Sequence, residues 1–379
     1  MNSVHGRTVY TGDKVLKDAY VVFRGRSIVS VGARKRGKLV GDYPVVTPAL
    51  IDAHSHIGMV RAGEPGSEAE ANPKLDSIIT LADALDSVQM DDNSLTESVE
   101  AGVLYSCVVP GSGNIIGGRS AVIRNWAADT TAALVSRAGL KGAFGHNPRS
   151  TTGWKGTRAH TRMGALAILR QKLTDVQRKI AKRRRLRGKK KLDVELTAAE
   201  EVLRSLLEGR ETWRVHVHKA DDVAALLRIV DEFKLKITCE HCCDIHDAGV
   251  FRELARRKIP VVYGPLDSFP YKVELKHESW RNVKLLVESG AAYGLMTDHP
   301  VILQRTLLMT LRWFLRAGLK KADALGIVTR SNARILGLKS LGTLAKGKWA
   351  SFVGWNGDPF GLGSWPVSAW GEGREVYAE

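Results

Sequence analysis

Apolar and polar positions change texture twice along this chain. From Val9 to Val31, short β-prone runs (TVYTG, AYVVFRG, SIVSVGA) are broken by Gly, Asp and Lys, as expected of a small antiparallel unit. Between Lys346 and Tyr377 the texture returns in GKWASFVGWNGDPFG and SAWGEGREVY, so the two chain ends are expected to pair into one small β-sandwich domain. Between them, strand-like runs alternate with helical ones: ALIDAHSH, VLYSCVVPG, LKGAFGH, TWRVHVH, KITCEH, IPVVYGP and AAYGLMTDHP. After His218, Asp221 can cap a helix in which Val223, Leu226, Leu227 and Val230 fall at i, i+3, i+4 and i+7.

Strands alternating with helices imply parallel pairing with helical crossovers. Roughly seven such repeats suit a (β/α)8 barrel better than an open doubly wound sheet, which carries a Gly-rich dinucleotide turn early. GSGNIIGG, Gly111 to Gly118, has neither that spacing nor that of a phosphate loop and reads as a tight loop after a strand. The expected architecture is therefore α/β. A TIM-like barrel spans 48–338, with a basic insertion at 178–191, and residues 1–47 and 339–379 form the two halves of the β-sandwich.

Composition adds one unusual property. The 379 residues carry 57 Lys and Arg against 40 Asp and Glu, a net charge of +17. Ten of the cations lie in RKIAKRRRLRGKKK: Arg178, Lys179, Lys182, Arg183, Arg184, Arg185, Arg187, Lys189, Lys190 and Lys191. This run reads equally as a solvated, partly helical insertion and as an arm for nucleic acid or another polyanion, since clustered cations release counterions. It holds no aromatic residue, so any such binding would be backbone-directed and salt-sensitive. High basicity as an adaptation to a hot or acidic cell interior would explain the charge without a partner. Four cysteines, two of them adjacent, make no disulfide framework in a chain of this length. The opening MNSVHGRTVYTGD lacks the regions of a secretory signal, and no apolar run reaches ~18 residues. A soluble cytoplasmic protein is expected.

The chemistry lies at the strand ends. His54 and His56 sit two apart and share a strand face. His146, His216 with His218, His241, and Asp298 with His299 recur where later strands stop. In a barrel these ends meet on one face, where active sites of this architecture lie. Imidazoles and a carboxylate are ordinary ligands for zinc and similar divalent ions, with one position kept open for water. Asp298 can then shuttle the proton to a leaving group.

The ordered motifs TPALIDAHSH, VHVHKADD, TCEHCCD, MTDHPV and LAKGKWASFVGWNGDPF, extended by GNIIGGRSAVIRN and HTRMG, resemble the metal-dependent amidohydrolase superfamily. Within it the chain looks like the imidazolonepropionase-related and dipeptidase-like branch. The resemblance implies metal ligation by His54, His56, His216, His241 and Asp298, with Asp298 also the proton shuttle. It leaves His218 and His299 either facing substrate or supporting the ligands from behind, with His146 also in the substrate-binding set, and implies hydrolysis of an amide or cyclic amide bond in a small molecule or dipeptide.

Two departures stand at the expected site. GHNPRS places His146 where relatives of this branch carry a glutamate, and a neutral imidazole cannot bridge two cations, so one metal ion is expected. Zn2+ leads, with Fe2+ or Mn2+ as alternatives. CEHCC surrounds His241 with thiols, and on a regular strand Cys239 would share its face; with no second C-x2-C pair, a structural zinc cage is excluded. Arg162 either holds a substrate carboxylate or is a surface residue at a helix start. Asn114 and Tyr263 can line the pocket, and Asp52 orients the first strand or a histidine. The competing function is a basic nucleic-acid or ribonucleoprotein-binding protein on the same fold with reduced catalysis; a homo-oligomer fits either reading.

Overall fold

The computed structural model describes residues 1–151, 153–186 and 194–379. Four strands open the chain: β1 (Asn2–Tyr10), β2 (Val15–Arg24), β3 (Ser27–Gly32) and β4 (Lys38–Pro48). Eight follow: β5 (Leu50–Ser55), β6 (Val103–Val108), β7 (Ile116–Arg124), β8 (Leu134–Ala143), β9 (Trp213–Val217), β10 (Ile237–His241), β11 (Val261–Tyr263) and β12 (Tyr293–Leu295). The C-terminal stretch adds β13 (Phe352–Trp355), β14 (Pro366–Gly371) and β15 (Arg374–Ala378).

Both chain ends build one seven-stranded sheet, ordered β15-β14-β13-β4-β1-β2-β3. Three strand spacings of about 4.8 Å separate β2 from β13 in that order. Yet the rings of Phe23 on β2 and Phe352 on β13 are 5.7 Å apart, and Phe23 meets Trp370 of β14 at 5.6 Å. The sheet therefore curls until its inner face closes on itself, burying Val4, Val21, Val46 and these aromatics in a sandwich-like core.

The remaining eight strands form the barrel, β5 to β12 in sequence order. It departs from the uniform repeat in one place. β7 runs antiparallel to both β6 and β8, while every other neighbouring pair is parallel. The glycine-rich stretch expected to be only a loop thus enters a strand at Ile116, and Gly118 takes φ +122°, with Ala82 packed where a Cβ would stand.

Asn332 ties the first barrel strand to the last: its Nδ2 donates to Ile51 O (2.6 Å) and Leu295 O (2.9 Å), and its Oδ1 accepts from Leu295 N at 2.9 Å. The crossover helix after β9, Ala220–Phe233, buries Val223, Leu226 and Leu227 as its periodicity requires. Its N-cap is Lys219 rather than Asp221; Asp221 lies in the first turn, where a carboxylate still favours the helix dipole.

The basic run begins inside a long helix, Arg162–Arg185, that packs against the helix Ala198–Leu207. Three of its cations pair with that neighbour and its end: Lys179 with Glu200 (2.8 Å), Arg183 with Glu201 (3.4 Å) and Arg184 with Glu208 (3.5 Å). Arg178, Lys182 and Arg185 are exposed. Arg187, Lys189, Lys190 and Lys191 lie outside the described residues. Among the described residues no helix is long and apolar enough to cross a membrane.

Candidate active site

Strand alternation aims the site. On β9, Trp213, Val215 and Val217 join the core shared with the helices, which leaves Arg214 and His216 on the opposite, barrel-facing side, with His218 next in line just past the strand end. β5 sends Asp52 and His54 inward in the same way, with His56 following. β10 breaks the rule. Cys239 belongs to the helix-facing core and Glu240 bonds His54 across the barrel, so regular alternation would turn His241 outward beside Cys239. A left-handed φ of +75° at His241 swings its ring into the pocket instead. The expectation that Cys239 shares the ligand face fails for that reason.

The side chains converge in two sets of three. The ligating atoms of His54, His56 and Asp298 lie within 4.8 Å of one another, as do those of His216, His218 and His241. The sets adjoin: the rings of His54 and His241 are 4.9 Å apart. Asp298 Oδ1 is 3.1 Å from His56 Nε2 and 3.4 Å from His54 Nε2.

Hydrogen bonds fix the rings. His56 Nδ1 lies 2.8 Å from the Val109 carbonyl, His241 Nδ1 2.9 Å from the Gly264 carbonyl and His54 Nδ1 2.8 Å from the Glu240 carboxylate. Each of these oxygens only accepts, so each Nδ1 carries the proton and each Nε2 presents its lone pair. Glu240 is held in turn by Arg214 at 3.0 Å and by the Thr238 hydroxyl.

Among the described residues, five buried nitrogens of these histidines have no hydrogen-bond partner: His54 Nε2, His241 Nε2, His218 Nδ1 and both nitrogens of His216. Buried polar atoms rarely stay unpaired at such density, because each costs about 1–3 kcal/mol. The 3.1–3.4 Å contacts of Asp298 match the ~3.3 Å edge of a tetrahedron with bonds of about 2.0–2.1 Å. The residues present therefore fit a divalent metal ion.

Burial is the largest influence on each ionisable group here. It drives His216, His218 and His241 well below the usual imidazole range, and also lowers His56 against the pull of Asp298. For His54, burial is outweighed by the neighbouring Asp298 and Glu240 carboxylates, and its pKa rises. Burial likewise opposes ionisation of Asp298, but His241, His54 and His56 hold it well below the ordinary carboxylate range. Desolvation pulls the fully buried Lys141 of β8 down to about 8, and its Nζ donates to Ser112 Oγ at 2.7 Å.

The structure separates the expected residues. His54, His56, His216, His241 and Asp298 come together, and His218, expected to face substrate, joins the imidazole triad. His299 is buried just outside it; its Nδ1 accepts from Gln304 N at 3.3 Å, and burial pushes its pKa down to about 4. His146 is exposed, because Gly145 at φ +84° and the turn Asn147–Arg149 carry its side chain outward; only its backbone N–H reaches the site wall, at Glu274 Oε2 (2.7 Å). Arg162 is clamped by Asp222 at 2.6 and 2.9 Å, so its fork already holds a carboxylate of the protein. Asn114 donates to Asp76 O, and Tyr263 is a core residue against Phe251. Asp52 accepts from Thr297 N and from its hydroxyl, which places it between the first and last strands.

Four groups at the site escaped sequence reasoning: Arg214, Glu240, Lys141 and Glu274. Arg214 occupies an inward position two residues before His216, which alternation alone could have flagged; Glu240 directly precedes His241, and alternation from that histidine would have turned it outward. Glu274 comes from the segment after β11, pairs with Lys272 at 2.8 Å and sets its Oε1 3.7 Å from His216 Nε2. A cleft lined by His218, Cys243, Tyr271, Leu275, Glu278 and Asp298 leads inward beside it.

Comparison with known proteins agrees with this geometry. The model of the Amidohydrolase family matches residues 192–376. Amidohydrolase tasK of Hapsidospora irregularis is 26% identical over 357 residues, covering 88% of this chain but 36% of that relative, so the chain spans about a third of its length. The crystal structure of an amidohydrolase from Thermotoga maritima superposes over 100% of both chains with a TM-score of 0.92 and 30% identity. A mutant atrazine chlorohydrolase from Arthrobacter aurescens, complexed with zinc and atraton, shares the fold at 15% identity, with a TM-score of 0.58 over 100% of this chain and 95% of that one.

Proposed function

The chain belongs to the amidohydrolase family, and from that premise we propose that it is a metal-dependent hydrolase of an amide or cyclic amide bond in a small molecule or dipeptide. The catalytic unit is taken as residues 48–338, with 1–47 and 339–379 as its β domain. One observation carries the reading: buried, unpartnered imidazole nitrogens from separate strands converge with Asp298 on a single pocket.

His54, His56 and Asp298 would hold one Zn2+, and His216, His218 and His241 supply a second ligand set whose occupancy the metal-to-protein ratio reports. Held by these residues, such an ion would supply a water with pKa lowered toward about 7 and a Lewis acid for the scissile carbonyl. The chain's own groups do the rest. Glu240 fixes the His54 tautomer, and the Val109 and Gly264 carbonyls do the same for His56 and His241. Asp298, ionised and with both oxygens in the pocket, accepts the proton of the attacking water and returns it to the leaving nitrogen. Buried Leu275 and Glu274 would narrow the access of bulk water to the pocket, with half-exposed Tyr271 at its rim to meet the substrate.

Purified protein tested for metal content and for hydrolysis of a panel of dipeptides and cyclic amides decides the matter. The expected result is metal-linked turnover that disappears with the ion in His54→Ala. Turnover that persists in that variant after complete metal loss would overturn the proposal.

A further inference from the structure

A third group of ligating side chains lies outside the barrel-mouth pocket, where the loop leaving β10 meets the segment after β11. Asp244 and His246 come from the loop and His277 from the segment, and their ligating atoms lie within 4.8 Å of one another. Asp244 is buried; its Oδ1 accepts from His277 N at 2.6 Å, and its Oδ2 lies 3.3 Å from His277 Nδ1. The His246 and His277 rings are 4.0 Å apart, tilted by 37°.

Three features point to a cation here. His246 Nδ1 is 2.9 Å from the Asp244 carbonyl oxygen, so it bears the ring proton and leaves the Nε2 lone pair free, the arrangement that orients metal-binding histidines. The 3.3 Å contact between Asp244 and His277 exceeds the ~2.7–2.9 Å of a charge-assisted hydrogen bond. It equals the ~3.3 Å edge between two ligands bound at about 2.0–2.1 Å to one ion. The donor set, two imidazoles and a carboxylate with one exposed ring, suits zinc-type ions and leaves a solvent-facing coordination position.

We propose that Asp244, His246 and His277 bind a divalent cation of the zinc type at a second site, distinct from the pocket of the proposed function, and that this ion staples the segment 266–281 to the end of β10. The segment has little regular structure, a single short turn at Val273–Leu275, yet it supplies Tyr271, Leu275 and Glu274 to the pocket wall. An ion at its base fixes that wall without touching the reacting atoms, so its loss raises KM and leaves kcat nearly unchanged.

The test uses the full chain stripped with a chelator, re-equilibrated with Zn2+ and desalted, with bound metal measured by mass spectrometry. The parent should hold one more equivalent than His246→Ala and than His277→Ala, and the double variant should lose no more than either single one. Amide exchange in 266–281 should slow on Zn2+ addition in the parent and stay fast in His246→Ala, whose exposed position tolerates the change. Equal metal content in the parent and both variants overturns the proposal. So does a loss confined to His277→Ala, because a shared site needs both rings. His54→Ala serves as the separate arm: its metal loss reports the barrel-mouth pocket alone, so failure of one site is distinguishable from failure of the other.

Discussion

Replacing Glu240 with glutamine tests how the fold prepares a metal ligand. Glu240 is fully buried; burial opposes its ionisation, but Arg214 and His54 hold its pKa at about 2. It accepts from Arg214 Nη1 at 3.0 Å on one oxygen and from His54 Nδ1 at 2.8 Å on the other. A glutamine has one oxygen and one NH2. With its oxygen toward Arg214, the amide N–H faces His54 Nδ1, which must then become an acceptor, and the ring proton moves to Nε2, the nitrogen aimed at Asp298. With the amide reversed, NH2 confronts the buried guanidinium.

Either arrangement impairs His54 as a ligand. Loss of such a supporting partner weakens metal binding about 10- to 100-fold, or roughly 1.4–2.7 kcal/mol. Breaking a buried pair costs about 3–5 kcal/mol; because glutamine keeps one acceptor for Arg214, the lower end, about 3 kcal/mol, is expected for the metal-free protein. Zn2+ competition against a chromophoric chelator measures the first quantity and urea denaturation the second. A variant that binds Zn2+ within twofold of the parent would refute the tautomer argument, whatever its stability.

Three further outcomes follow from the same geometry. Asp298→Asn should lower kcat on any substrate found by at least about 100-fold, since a positioned proton carrier contributes ~10²–10⁴; steady-state kinetics at saturating metal reads it, and a loss below tenfold would remove Asp298 from proton transfer. Asn332→Ala deletes three hydrogen bonds joining the first and last barrel strands, so about 3 kcal/mol of stability should go at ~1 kcal/mol each; a change under 1 kcal/mol by urea denaturation would mean that barrel closure does not depend on it. Gly142→Ala would put a Cβ 2.1 Å from the indole nitrogen of the buried Trp213. Overpacking of this kind costs about 1–3 kcal/mol, measurable as a lower urea midpoint, and an unchanged midpoint would show that Trp213 can move.

Much of this was legible in the sequence because period-2 alternation is a strong signal wherever one strand face is buried and the other carries chemistry. TWRVHVH and LIDAHSH announce their inward histidines, and the structure puts those residues where the pattern does. The failures have physical causes too. β7 was hidden because its glycines read as loop, whereas close backbone approach at Gly118 requires them. Cys239 was placed on the face of His241 by regular alternation, which fails because the chain turns left-handed at His241 and Cys242. His146 looked like a site residue by its neighbours, but the turn after Gly145 directs it to solvent. Glu274 and the Asp244–His246–His277 group depend on contacts between segments 30 or more residues apart, of which no local pattern carries a trace.

The claim that strand-end imidazoles and Asp298 hold a divalent ion is tested most directly by anomalous diffraction at the zinc absorption edge from crystals equilibrated with Zn2+. The account predicts a peak about 2.0–2.2 Å from His54 Nε2, His56 Nε2 and an Asp298 oxygen. A map with no peak at the barrel mouth, or with density only beside His246 and His277, would contradict it.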